Sequence, residues 1–126
     1  MKIKLLIITA IIMLSACTAS PSPTTPIVKS EPIVLTGKGS ATSAPFITTT
    51  DEWIIDWSYT PNEADSDLAV FSFFVYHKGE TKNFVKQVLL PKETTGSTYC
   101  YLGKGEYYIR VVADNVDRWE IKISSP

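Results

Sequence analysis

The sequence predicts an all-β protein with a single small antiparallel β-sandwich of about seven or eight strands, which follows a signal peptide and a disordered linker. Three observations lead to this fold class. From Ile33 onwards, apolar residues recur with a period of two, which is typical of strands. Residues that favour turns separate these runs at short intervals. A length of 126 residues allows one domain. A small barrel is the alternative arrangement.

The first 16 residues have the pattern of an export signal. Lys2 and Lys4 provide a positive start, and an apolar run extends from Leu5 to Leu14. As a helix this run would be about 15 Å long, roughly half the thickness of the hydrocarbon core of a membrane. We therefore interpret residues 1–16 as a secretory signal peptide rather than a membrane-spanning helix.

The motif Leu14-Ser15-Ala16-Cys17 directly follows this run and resembles the lipobox of bacterial lipoproteins. The resemblance implies cleavage between Ala16 and Cys17, and fatty-acid (palmitate) chains attached at Cys17. It also implies an exported protein anchored to the outer face of the cytoplasmic membrane, or to the outer membrane where the organism has one. An ordinary signal peptide with an incidental cysteine is the alternative.

Residues 17–32 are expected to form a tether behind the lipidated cysteine. Thr18 to Pro32 contains four of the eight prolines and lacks the apolar residues that a core requires. Extended at about 3.1 Å per residue, it would hold the next domain up to about 45 Å from the membrane. It is either a spacer or a flexible leader without a required length.

Residues 33–126 are expected to form the β-sandwich. In Trp53–Tyr59 the odd positions are aromatic or apolar, which predicts a half-buried strand. Leu68–Tyr76 is apolar at nearly every position, which predicts a central strand covered on both faces. The other predicted strands are 33–36, 45–48, 84–90, 98–102, 107–113 and 119–123. The predicted core contains Trp53, Trp57, Phe71, Phe73, Tyr107 and Trp119.

The charge of the chain argues against nucleic acid as a partner. It has 12 basic and 13 acidic residues, and removal of Lys2 and Lys4 with the signal leaves 10 basic residues against 13 acidic. Phosphate binding needs a basic surplus. We expect the lipid on Cys17 to hold the protein at a membrane, and an envelope protein or a glycan to be its further partner.

We expect no enzymatic activity and no cofactor. Cys100 lies between two tyrosines in a predicted strand, and His77 is the only histidine. A catalytic pair would require the thiol and the imidazole within hydrogen-bonding reach. The simpler interpretation is that Cys100 is a small core residue and that His77 is an exposed residue at a turn.

The residue types indicate two candidate binding sites. Glu63, Asp65 and Asp67 gather carboxylates that a calcium ion prefers as ligands, although the spacing differs from that of an EF-hand. Trp53, Trp57 and Tyr59 share one strand face and are the candidates for stacking against a glycan. In each case a structural role is the alternative, as a solvated loop and as core packing. The loops 60–67 and 91–97 are the expected contact surfaces.

The C-terminal domain resembles a known type of small β domain. The resemblance is carried by Gly39–Phe46, Trp53–Trp57, Gly105–Val111 and Trp119–Ile123. It links residues 37–123 to β domains of uncharacterised prokaryotic lipoproteins and secreted proteins, and implies a fold and a location without an activity. The last two strands are also similar to β-sandwich appendages of secreted peptidases. We therefore expect a non-enzymatic binding or accessory module of the cell envelope, with a carbohydrate-binding module as the alternative.

Overall fold

The computed structural model describes residues 31–126. The predicted signal peptide, the lipidation site at Cys17 and the tether up to residue 30 lie outside the described residues. The domain contains nine strands and one short 3₁₀ helix. The strands are β1 (Ile33–Gly37), β2 (Ala41–Thr42), β3 (Phe46–Thr48), β4 (Trp53–Pro61), β5 (Val70–His77), β6 (Lys86–Leu89), β7 (Thr95–Cys100), β8 (Gly105–Asp114) and β9 (Val116–Ser124), and the 3₁₀ helix is Glu63–Leu68.

The strands form two antiparallel sheets. Sheet A has the order β1-β9-β4-β7, and sheet B has the order β2-β8-β5-β6, with β3 also paired to β8. The two sheets enclose one hydrophobic core. The predicted β-sandwich is confirmed, and the strands do not close into a barrel.

Two short elements were not predicted from the sequence. β2 pairs with only two residues of β8, which is too short to show a periodicity. The 3₁₀ helix occupies the start of the apolar run that predicted a strand from Leu68, so β5 begins at Val70 instead. The side-chain oxygen of Asn62 accepts a hydrogen bond from the backbone N–H of Ala64 (2.9 Å) and thereby caps this helix.

The predicted core residues are all buried between the two sheets. β4, β8 and β9 alternate between buried and more exposed positions, which directs one face of each strand inwards. The six residues expected in the core are at most 8% exposed: Trp53, Trp57, Phe71, Phe73, Tyr107 and Trp119.

Two tryptophans of sheet A lie against glycines on the neighbouring strand. Gly37 is directly opposite Trp119, and Gly96 is directly opposite Trp57. A Cβ atom at either glycine would come within 3.0 Å of the indole ring opposite. The indole rings therefore occupy the space that a side chain on the neighbouring strand would need.

The central strand β5 is covered on both faces, as its sequence predicted. Its inner face packs in the core, and its outer face is covered by Phe84, whose ring centroid lies 5.4 Å from that of Phe74 and 6.5 Å from that of Tyr76. The carboxylate of Glu80 accepts the backbone N–H groups of residues 81–83 and orders the loop that carries Phe84. These N–H groups, that of Lys82 foremost, lower the pKa of Glu80.

Candidate functional site

The three aromatic residues of β4 that were predicted to stack against a glycan do not form an exposed platform. Trp53 and Trp57 are 1% and 8% exposed, and the ring of Tyr59 packs on Phe71 at a centroid distance of 4.8 Å. The strand's alternation directs the two tryptophans between the sheets, where no sugar ring has access, and Tyr59 is half-buried against the same core. The interpretation of Trp53, Trp57 and Tyr59 as a glycan platform is therefore wrong, and core packing is their role.

The acidic residues considered for calcium do not form a metal site. Within residues 31–126, no three Asp, Glu, His or Cys side chains are grouped so that they would hold a metal ion. Glu63, Asp65 and Asp67 lie on the 3₁₀ helix, none of whose residues is buried. The calcium interpretation is therefore wrong for these three carboxylates, which belong to an exposed turn.

Cys100 is part of the core, as the simpler interpretation predicted. It is 1% exposed and lies opposite Trp53 at the end of β7. Burial raises the pKa of its thiol to about 11, so the thiol stays protonated near neutral pH, and the protonated form is a poor nucleophile. His77 is exposed at the end of β5, with its ring 4.8 Å from that of Tyr107.

A groove lies beside the two loops predicted as contact surfaces, next to Asp67 of one loop and Pro91 of the other. It has a volume of about 380 Å³ and is lined mainly by apolar residues. Leu68 and Leu90 line it and are each 64% exposed. Leu90 has a φ of +38°, a left-handed conformation that is unfavourable for leucine. Its backbone N–H donates to the buried hydroxyl of Ser72 (3.1 Å), which helps to hold this conformation.

An exposed pair of tyrosines lies at the opposite end of the sandwich. Tyr99 and Tyr101 are 51% and 75% exposed, and their rings are nearly parallel, with centroids 6.5 Å apart and an interplanar angle of 19°. β7 is an edge strand of sheet A. The exposure of both tyrosines could have been predicted from the sequence, because a buried Cys100 in a strand directs the residues on either side of it away from the core.

Polar groups continue from this tyrosine pair across the outer face of sheet A. The register places Tyr99, Ile54 and Ser124 in one row across three strands. In the next row, the hydroxyl of Ser97 donates a hydrogen bond to the carboxylate of Asp56. The face therefore combines aromatic rings with hydroxyl and charged groups.

A small cavity lies at the same end of the sandwich as the two tyrosines. Its volume is about 70 Å³. Among the described residues, the indole Nε1 of Trp53 is the only buried side-chain nitrogen or oxygen without a hydrogen-bond partner, and Trp53 lines this cavity. The other lining residues include Glu31, Ile33, Ile47, Ile123 and Ser124.

Comparisons with known proteins do not assign this chain to a family. No protein-family model matches the sequence, and no curated protein is significantly similar to it. In the part of the chain from residue 31 to residue 126, no helix has the length and hydropathy needed to cross a membrane.

Proposed function

We propose that this protein is a lipid-anchored, extracytoplasmic binding module of the cell envelope that acts without catalysis, as an accessory to an envelope protein. The anchor is supported by the lipobox-like motif that ends at Cys17, behind a charged start and an apolar run. Two or three acyl chains give stable anchoring, because each buried methylene adds about 0.8 kcal/mol of membrane affinity.

The observation that carries the binding role is the apolar groove at Leu90. A left-handed backbone at a non-glycine residue costs about 1 kcal/mol or more, and such residues cluster at functional sites. Here that conformation leaves a leucine side chain exposed beside Leu68. An exposed apolar patch of this kind is typical of a protein–protein contact.

The position of the groove suits a partner that approaches from beyond the membrane. The tether joins the domain at Ile33, which is opposite Ile123 and near the start of β4. The groove lies beyond the other end of β4, next to Tyr59 and Pro91. A partner bound there would meet the end of the domain that is farthest from the attachment point of the tether.

The test is crosslinking of the full-length lipidated protein in its native cells, followed by identification of the captured proteins. We compare Leu90→Asn with Leu89→Asn, because both leucines are exposed but only Leu90 lines the groove. Asparagine tolerates the left-handed backbone, so Leu90→Asn keeps or raises the free energy of unfolding. We expect Leu90→Asn to lose the captured partner and Leu89→Asn to retain it. Equal capture by both variants would refute the groove.

Lipidation is tested separately with labelled fatty acid. Cys17→Ser is expected to abolish labelling and membrane retention. A Cys17→Ser variant that still incorporates the label would contradict the lipobox interpretation and leave the groove hypothesis unaffected, because the groove lies entirely within the folded domain.

Glycan binding is the second candidate function, and the tyrosine pair at the end of β7 favours it. Two exposed, nearly parallel rings beside hydroxyl and charged groups offer both stacking and hydrogen bonding to a sugar chain. Purified envelope polysaccharide is expected to bind the full-length protein, and Tyr99→Ser with Tyr101→Ser is expected to abolish binding. Leu90→Asn serves as the control that leaves glycan binding intact.

A further inference from the structure

We propose that a second copy of this chain pairs with the free edge of β7, so that the β7 strands of two copies form one antiparallel ladder about a two-fold axis at Ser97. This inference goes beyond both proposed functions. It starts from one observation: β7 is an edge strand of sheet A, and it lacks the features by which the edge strands of natural proteins avoid pairing with another chain.

The backbone groups that face this edge follow from the register between β7 and β4. The N–H of Tyr59 donates to the carbonyl oxygen of Thr94 (2.9 Å), so these two residues form a hydrogen-bonded pair. Hydrogen-bonded and non-hydrogen-bonded pairs alternate along an antiparallel ladder. Thr95, Ser97 and Tyr99 are therefore in non-hydrogen-bonded pairs with β4, and their N–H and C=O groups point away from that strand.

These three N–H and three C=O groups are free to bind a partner strand. Among residues 31–126, no other strand pairs with this edge, and no backbone group outside the β4 ladder bonds to it. The side chains of Thr95, Ser97 and Tyr99 are all exposed on the outer face of the sheet. A strand laid against β7 would therefore satisfy all of these backbone groups.

The other edge strands have protective features that β7 lacks. Short length, proline, lysine at the edge and an inward-pointing charge all oppose pairing with another chain. β2 and β3 have two and three residues, and β6 has four and points Lys86 inwards, in register with the buried Val75. β1 lies between Pro32 and Lys38. β7 has six residues, and Thr94–Leu102 contains neither a charged residue nor a proline.

A second copy is the partner that fits this edge, because β7 is complementary to itself. When two β7 strands pair about Ser97, Thr95 of each copy lies opposite Tyr99 of the other, and all the free backbone groups of both edges are satisfied. Aromatic side chains opposite β-branched ones are favourable cross-strand pairs, and an uncharged strand meets no like charge on its copy. Both strands are already formed, so pairing avoids the loss of entropy that orders a flexible peptide.

Anchoring of both copies in one membrane is compatible with this arrangement and promotes it. Antiparallel pairing reverses one sandwich relative to the other, so the two attachment points at Ile33 lie towards opposite ends of the pair. The longest strand, β8, has ten residues and extends about 34 Å, which is less than the reach of about 45 Å predicted for the tether. Copies held on one surface have a raised effective concentration, a step that relies on the proposed lipid anchor.

The test is disulfide crosslinking of the full-length protein in its native cells. Ser97→Cys places two new thiols opposite each other at the two-fold axis, with Cα atoms about 5.5 Å apart, a separation that a disulfide spans. Val34→Cys is the matched control, because Val34 is exposed on β1, the other edge of the same sheet. After mild oxidation with diamide, we expect about tenfold more covalent dimer from Ser97→Cys than from Val34→Cys. The unchanged protein, whose Cys100 is buried, is expected to give little.

Two further substitutions at Ser97 test the backbone pairing without an added thiol. Ser97→Pro removes the N–H that points away from β4, so the β4 ladder keeps its hydrogen bonds while each partner strand loses one. Ser97→Ala removes only the hydroxyl, which donates to Asp56. Sedimentation of the full-length protein in detergent micelles measures self-association, and thermal unfolding checks that both variants are folded. We expect the association constant of Ser97→Pro to be about tenfold lower than that of Ser97→Ala.

The outcomes separate this inference from the proposed functions. Equal crosslinking of Ser97→Cys and Val34→Cys would overturn the pairing, because it would reflect collisions between anchored copies. A disulfide from Ser97→Cys to a different protein would also overturn the second copy, and would assign the edge to a strand of that protein. Capture at Leu90 and fatty-acid labelling at Cys17 are decided by their own experiments, because neither depends on the edge of β7.

Discussion

Trp53 and Trp119 are both buried in sheet A, at opposite ends of the sandwich, yet their indole groups differ in one respect. Nε1 of Trp119 donates to the carbonyl oxygen of Gly39, whereas Nε1 of Trp53 has no partner among the described residues. Burial alone makes both residues look structural. The hydrogen-bond partner distinguishes them, because a buried N–H without a partner costs about 1–3 kcal/mol.

The two ends also differ in how neighbouring residues support the indole ring. Trp119 lies over Gly37, and the carbonyl group of the nearby Gly39 accepts its N–H, so two residues of the neighbouring segment fix the ring. Trp53 packs on the rings of Phe46 and Tyr107, at 6.0 and 5.2 Å between centroids, and lines a cavity. The indole N–H of Trp119 is therefore satisfied within the domain, whereas that of Trp53 has no acceptor among the described residues.

The largest expected effect is the loss of the Trp119 ring. Trp119→Ala removes a buried indole and its hydrogen bond to Gly39, and is expected to lower the free energy of unfolding by about 3–5 kcal/mol. Denaturant unfolding measures the change. Arg118→Ala is the control on the neighbouring residue, whose side chain is exposed, and is expected to change stability by less than about 0.5 kcal/mol. A similar small change for Trp119→Ala would show that its ring does not support this end.

The next effect concerns the Trp53 end and appears at alkaline pH. The thiol opposite Trp53, that of Cys100, has its pKa raised by burial from 9.0 to about 11. Between these pH values the unfolded chain releases the thiol proton while the folded protein retains it. Stability is therefore unaffected below pH 9 and falls as the pH rises towards 11, by about 2 kcal/mol in total.

Cys100→Ala isolates this contribution from other groups that titrate in the same range, such as Tyr107, whose pKa burial also raises. We expect the difference in unfolding free energy between pH 8 and pH 11 to be about 2 kcal/mol smaller in the variant than in the unchanged protein. Equal pH dependence in the two proteins would mean that the thiol is accessible to water.

The sequence was sufficient to predict the sandwich because its strands are regular. In Trp53–Tyr59 and Trp119–Ile123 one face of the strand is buried. Apolar residues therefore recur at every second position, and this period is visible in the sequence. β2 and the 3₁₀ helix were missed for the opposite reason: they are short, and long-range pairing or a side-chain cap fixes them.

The candidate sites were harder to predict than the fold. Trp53 was expected in the core, and its position there gave no sign of a cavity, because Ile33, Ile47 and Ile123 come together only through pairing between distant strands. The sequence shows Tyr99 and Tyr101 on either side of Cys100. Whether the tyrosines or the cysteine point into the core, and hence their role, depends on the fold. A left-handed backbone at Leu90 has no sequence signal, since leucine rarely adopts it.

The smallest expected effect tests how closely the Trp119 end is fitted, through a pair of glycine substitutions. A Cβ at Gly37 would lie 2.5 Å from Cζ2 of Trp119, whereas a Cβ at Gly39 would have no neighbour within 4 Å. Trp119 is buried and held by its hydrogen bond, so its ring cannot move without loss of packing. Gly37→Ala is therefore expected to destabilise the protein by about 1–2 kcal/mol. Gly39→Ala is expected to be neutral or slightly stabilising, because it restricts the unfolded chain. Thermal or denaturant unfolding of both variants is the measurement. Equal stabilities would show that the ring of Trp119 shifts to admit the new methyl group without loss of packing.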